Sequence, residues 1–236
     1  MASLSYKIGL LRGLASKEQA FVGPFYIHVD VTHRCNLKCL CCRWHSPLIE
    51  SKRDKSIPED FSLKMFQKLC DELQAMGTRQ IYFVGTGEPL LHPNIFEFIA
   101  AAKQRGFELI MYSNGIALTS QTLKKLMDLG LDVLRVSLWS PTPDKFAEQV
   151  QGASLKTFET IIDGCKRLTA LKARMKVKTP LLEFCQSITQ QDVEGLEKIV
   201  PLAQEAGCDR LCFSPLVDFK EDAFHAFRPG QDDTGR

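Results

Sequence analysis

The stretch HRCNLKCLCC at residues 33–42 holds Cys35, Cys39 and Cys42, with three residues between the first pair and two between the second. Thiolates that close together on one segment can converge on a single metal centre. An iron–sulfur cube takes one ligand for each of its four irons. Three ligands from one loop leave an iron open. An open position points to chemistry rather than scaffolding, by the logic that separates catalytic from structural zinc sites. A second reading uses the same residues: Cys35, Cys39, Cys42 and His45 also have plausible spacing for a Cys3His zinc site, which makes a structural or interaction module.

Working outward from this stretch, Phe25 to Val31 reads as a strand that feeds directly into the cysteines. Apolar Phe66, Leu69, Cys70, Leu73 and Met76 mark a helix ended by Gly77. Gln80 to Val84 is a second strand, broken by Gly85 to Pro89. A helix from about Asn94 to Gly106 leads to a third strand, Phe107 to Tyr112, and the turn Ser113-Asn114-Gly115. Thr119 caps a helix closed by Gly130, and Asp132 to Leu138 is the fourth strand. A short helix from about Pro143 precedes a longer one capped by Ser154. Met175 to Thr179 reads as the fifth strand. A helical face at Leu196, Ile199, Leu202 and Ala203 leads to the sixth strand, Arg210 to Ser214. The leading residues Leu4, Ile8, Leu11 and Ala15 share a helical face that is expected to pack against the body of the protein.

Alternating strands and helices with right-handed crossovers predict a parallel sheet curving toward a barrel. Eight units close a full barrel, so six predict an α/β partial (β/α)6 TIM-like barrel with outer helices and a wide slot. The expected organisation is a lead-in over 1–24, a core over 25–216 and a polar tail over 217–236, with Arg228 to Arg236 disordered. Ligands bind at the carboxyl ends of strands in such sheets. The cysteine loop, GTGEP (residues 85–89), SNG (residues 113–115) and Ser137 all fall there.

The chain has 236 residues and a net charge of +2 with acids and bases interspersed, so nothing points to nucleic acid. Its nine cysteines are an odd number and mostly scattered, which opposes a secreted disulfide framework and suits a reducing, cytoplasmic compartment. Lys7, Arg12 and Lys17 interrupt the first apolar residues, so no signal peptide is expected. No run is long and apolar enough for a membrane span.

The C-x3-C-x2-C spacing resembles the cluster loop of the radical S-adenosylmethionine superfamily, and Gly85-Thr86-Gly87-Glu88-Pro89 looks like that family's GGEP segment. The resemblance covers about residues 25–216. It implies a [4Fe–4S] cluster and S-adenosylmethionine as cofactors, with Cys35, Cys39 and Cys42 as ligands. It also implies reductive cleavage to a 5′-deoxyadenosyl radical that abstracts hydrogen from substrate. The cofactors bring the hard chemistry, and the protein binds, orients and excludes water. By the same resemblance Gly85, Thr86, Gly87, Glu88 and Pro89 meet the cofactor's ammonium, Ser137 its ribose, and Asn114 lies nearby. The backbone of Cys41 meets the adenine, where relatives usually carry an aromatic residue. Cys41 competes with Cys42 as a ligand, and the spacing favours Cys42. On the expected fifth strand Lys176 and Lys178 share a face. If that face is the interior, one of them, entered here as Lys178, meets the cofactor carboxylate or the substrate. If it is the outer face, both are solvated.

GTGEPLLHP and VSLWS are similar to the branch that modifies peptides and matures cofactors, though its usual cysteine-rich C-terminal extension is missing here. The implied partners are a peptide or small-molecule substrate, an electron donor such as flavodoxin or ferredoxin, and a protein or further domain that closes the barrel. An alternative is an activating enzyme that installs a glycyl radical on a partner protein. Cys70, Cys165, Cys185 and Cys212 read as core thiols, so Cys208 and Cys212 are not expected to hold a second cluster. His28, Asp30 and Tyr26 share a face of the first strand, as substrate contacts or as a hydrogen-bonded core group. Trp44 and Trp139 follow strand ends and read as packing residues.

Overall fold

The computed structural model describes residues 4–48, 56, 58–188 and 195–215. The expected tail over 217–236 lies outside them. Seven helices are described: α1 (Leu4–Ser16), α2 (Leu63–Ala75), α3 (Ile95–Gln104), α4 (Ser120–Asp128), α5 (Pro143–Gln149), α6 (Leu155–Met175) and α7 (Ile199–Ala206). The strands are β1 (Tyr26–Val29), β2 (Lys38–Cys39), β3 (Gln80–Phe83), β4 (Glu108–Ser113), β5 (Val133–Ser137), β6 (Val150–Gln151), β7 (Leu181–Ile188) and β8 (Arg210–Pro215).

Six strands form one sheet in the order β1-β3-β4-β5-β7-β8, and every neighbouring pair is parallel. A parallel sheet needs helical crossovers, and these cover one of its faces. The register shows which. Val29, Phe83, Met111, Leu134 and Leu182 form one lateral row, all buried in the core shared with the helices. Phe66 of α2 stacks on Phe98 of α3 with centroids 4.5 Å apart. The opposite face is polar: Tyr112, Arg135, Glu183 and Arg210 lie in one row, and Ser137, Cys185 and Cys212 in the next.

Local chemistry fixes the helix ends. Oxygens of Ser62, Thr119 and Ser154 accept N–H groups of Met65, Thr122 and Thr157. Gly77 and Gly130 follow α2 and α4 with φ of 79° and 76°, a conformation that costs other residues more.

Two expectations fail. The fifth strand is not Met175 to Thr179, because α6 continues through Met175 and ends at Lys176, and the strand is β7. MKVKT alternates like a strand, yet Lys172 and Arg174 occupy the last helical turn, where cations suit the exposed carbonyls. LLEFCQSI hid its strand character because its inward face is polar. The leading helix is also misplaced: Leu4, Ile8 and Leu11 point outward, while Gly9 and Tyr6 make the contacts. The Tyr6 hydroxyl donates to Gly23 O at 3.1 Å and its ring meets Phe25 edge-on.

Candidate functional site

The cysteine segment leaves the carboxyl end of β1 and is pinned before it turns. β2 pairs antiparallel with β6, placing Lys38 opposite Gln151 and Cys39 opposite Val150. Leu40 N donates to Gln149 O at 2.8 Å. Beyond it, Cys42 N donates to Cys39 O at 3.0 Å, and the Ser46 hydroxyl donates to Leu40 O at 2.6 Å. Sequence reasoning missed this clamp, because two-residue strands leave no periodic signal.

Cys35, Cys39 and Cys42 are half-buried, whereas Cys41 is buried. Backbone donors meet one of the three sulfurs. Cys42 Sγ accepts the N–H groups of Trp44 at 3.4 Å and His45 at 3.3 Å. The Trp139 indole near Cys39, and the Leu37 and Asn36 backbones near Cys35, favour the ionised sulfurs. Burial pushes the Cys35 and Cys39 thiols up, and the nearby Cys42 sulfur adds to the shift. Grouped thiols with N–H groups aimed at them suit a cationic centre, which would hold them as thiolates and reverse that shift. Among the described residues, no three His, Cys, Asp or Glu side chains converge as ligands for one metal ion.

The GTGEP turn follows β3 and packs against the cysteine loop. Glu88 N donates to Arg34 O at 2.7 Å. A Cβ on Gly87 would lie 2.4 Å from Thr32 O and 2.5 Å from Arg34 O, so only glycine permits the approach. Gly85 has φ 154° and lies against the Asp30 carboxylate. The Thr86 hydroxyl donates to Asp30 Oδ2 at 2.7 Å and also meets His33 Nδ1. Arg34 is held by Asp60 and Glu59.

Glu88 joins three strand ends. Its buried carboxylate accepts Leu90 N at 3.1 Å, the Ser113 hydroxyl at 2.9 Å and Asn114 N at 2.6 Å. Burial outweighs these donors and pushes the carboxyl up to about 7. Pro89 opens the short helical turn that follows. The Asn114 side chain crosses to the cysteine loop, donating to Asn36 Oδ1 at 2.7 Å. Ser113 of the SNG turn thus belongs to the assembly, and so does Asn36, which nothing in the sequence singles out.

Ser137 ends β5 and lines a cavity of about 320 Å3 with Tyr112, Trp139, Cys185 and Cys212. Lys178 does not join this site. It is exposed on the connection that precedes β7, at the amino ends of the strands, because the helix runs on past the expected strand. Trp139 packs against the core as expected, while Cys185 and Cys212, expected as core thiols, do not belong to it. Trp139 also lines the cavity, and Cys212 faces it beside Cys185.

Residues 29–183 match the Radical SAM superfamily, and the chain belongs to that family. Its members are enzymes that work with a [4Fe–4S] cluster and S-adenosylmethionine. A tungsten-containing aldehyde ferredoxin oxidoreductase cofactor-modifying protein of Pyrococcus furiosus is 27% identical over 81% of this chain and 51% of its own length. The PqqA peptide cyclase of Ruegeria pomeroyi is 29% identical over 84% of this chain and 49% of its own length. The Fe-coproporphyrin III synthase of Methanosarcina barkeri is 31% identical over 80% and 43%. The chain thus spans about half the length of these relatives. Among solved structures, Streptococcus suis SuiB bound to S-adenosylmethionine superposes with a TM-score of 0.72 at 14% identity, over 98% of this chain and 50% of that one. The sheet is accordingly the partial barrel expected from six strand–helix units.

Proposed function

We propose that this chain provides the radical-generating core of an enzyme that acts on a peptide or small molecule. The observation that carries it is the brace between two loops: three half-buried thiols at the carboxyl ends of the strands, held against GTGEP by Glu88 N and Arg34 O. In this reading Cys35, Cys39 and Cys42 hold the cluster. Cys41, buried beside them, contributes backbone to the adenine side. Gly85, Thr86, Gly87 and Pro89 shape the backbone cradle for the ammonium of S-adenosylmethionine.

Glu88 acts as a brace within that cradle, since both of its oxygens already accept hydrogen bonds. Asn114 ties the cradle to the cysteine loop, and Ser137 meets the ribose. When bound, the cluster and S-adenosylmethionine together supply a 5′-deoxyadenosyl radical that abstracts hydrogen from a substrate carbon. The protein's share is to position the carbon, exclude water and tune the sulfurs through their N–H donors.

A peptide substrate is favoured. The PqqA peptide cyclase is a relative, and SuiB, solved with its precursor peptide, shares the fold with a TM-score of 0.69. The polar concave face offers a wall for such a chain. No helix among the described residues is long and apolar enough to cross a membrane. We place the enzyme in the cytoplasm, with a flavodoxin or ferredoxin as electron donor.

Anaerobic reconstitution with iron and sulfide, followed by reduction with dithionite in the presence of S-adenosylmethionine, tests this function. Equal amounts of methionine and 5′-deoxyadenosine are expected. An iron-replete protein that forms neither would overturn it.

A further inference from the structure

Two of the nine cysteines stand side by side far from the cysteine loop in sequence. Cys185 of β7 and Cys212 of β8 are exact lateral partners in the parallel sheet and project from the same face. Both line the cavity beside Ser137. Both are half-buried, so a small reagent can reach them.

The other cysteines outside the loop differ. Cys70 and Cys165 are fully buried. The Cys208 thiol donates to Leu182 O at 3.3 Å and Arg210 O at 2.9 Å, on the opposite side of the strand pair. Neighbouring strands lie about 4.8 Å apart, which sets the Cα separation of lateral partners. A disulfide accepts Cα separations of about 4.4–6.8 Å, and this lateral pair falls inside that range.

We infer that Cys185 and Cys212 form a redox-active dithiol in the barrel slot, oxidised by low-molecular-weight disulfides. In the first step one thiolate attacks the small disulfide, forming a mixed disulfide and releasing one small thiol. The second cysteine then attacks that mixed disulfide. The Cys185–Cys212 bond forms, a second small thiol leaves, and two electrons have passed from the pair to the reagent. The crosslink draws two sulfurs together on the wall beside Ser137, so the slot senses thiol redox state. Burial pushes the Cys185 thiol up, with the Cys212 sulfur adding to the shift and the Arg135 guanidinium partly opposing it. The Cys185 thiolate is therefore scarce near neutrality, and its attack quickens as pH rises. The pair needs neither iron nor S-adenosylmethionine, so failure of the cofactor reading leaves it standing.

The test equilibrates the reconstituted protein anaerobically with oxidised glutathione, alkylates the remaining thiols and maps an unreduced digest by mass spectrometry. The expected result is one crosslinked peptide pair joining Cys185 to Cys212. Both sites lose alkylation together, and faster at about pH 9 than at about pH 7. In Cys185→Ser the crosslink disappears and Cys212 ends as a glutathione adduct, and Cys212→Ser gives the reverse. Full alkylation of both sites in the wild-type protein would overturn the inference. So would separate glutathione adducts without a crosslink, or a Cys208–Cys212 bond.

Discussion

Glu88 shows how a single buried side chain can tie neighbouring strand ends together. It is buried among three donors from Leu90, Ser113 and Asn114, and its carboxyl is raised from an ordinary 4.5 to about 7. A raised carboxyl means that the folded chain holds its proton where the unfolded chain has lost it. Its contribution to stability is therefore full below pH 4.5 and is lost as pH rises to about 7. The span corresponds to on the order of 3 kcal/mol. Glu88→Gln cannot ionise, so denaturant unfolding should show the variant gaining about that much relative to wild type across the window. Parallel stability curves for the two proteins would contradict this. At Gly87 the constraint is steric. Gly87→Ala would press a methyl into the carbonyls of Thr32 and Arg34. It should cost about 1–3 kcal/mol in denaturant unfolding and cut 5′-deoxyadenosine formation at least about tenfold, with unchanged activity as the contrary result.

At the level of elements, strands meet through charge on the concave face and through apolar rows on the other. Glu183 of β7 is buried between Arg135 of β5, which donates from Nε at 2.7 Å, and Arg210 of β8, which donates from Nη1 at 3.0 Å. Arg135 also donates to the Tyr112 hydroxyl on β4, so four neighbouring strands share one network. Glu183→Ala leaves the Arg135 guanidinium mostly buried without its acceptor and should cost about 3–5 kcal/mol in urea unfolding. A loss below about 1 kcal/mol would show that the network contributes no more than a surface pair. The same network explains which elements were legible in sequence. Strands β3, β4 and β5 read clearly because the Ile81, Phe83, Met111 and Leu134 side announces itself as apolar. β7 did not, since Glu183, Cys185 and Ser187 interrupt Leu182 and Phe184, and the nearby MKVKT mimicked the alternation better. The exposure of α1 was equally hidden, because an apolar helical face looks the same whether or not something covers it.

Across the whole molecule, the parts of the site that lie in one continuous run were legible and the parts assembled from separate elements were not. The cysteine spacing and GTGEP each announce themselves locally, and the order of strand–helix units places both at the same rim. The bond from Asn114 to Asn36, the clamp of residues 38–39 on 150–151, and the meeting of Cys185 with Cys212 all depend on register between distant segments. Lys178 went the other way: a one-element slip moved it from an expected wall of the slot to the opposite end of the sheet.

The central claim is that Cys35, Cys39 and Cys42 together hold one cluster at that rim. Iron per chain after anaerobic reconstitution tests it most directly, compared among wild type, Cys39→Ala and Cys70→Ala. Wild type and Cys70→Ala should each hold about four irons, and Cys39→Ala should fall well below that and lose the brown colour. Full iron in Cys39→Ala, or a colourless wild-type protein carrying a single zinc, would contradict it.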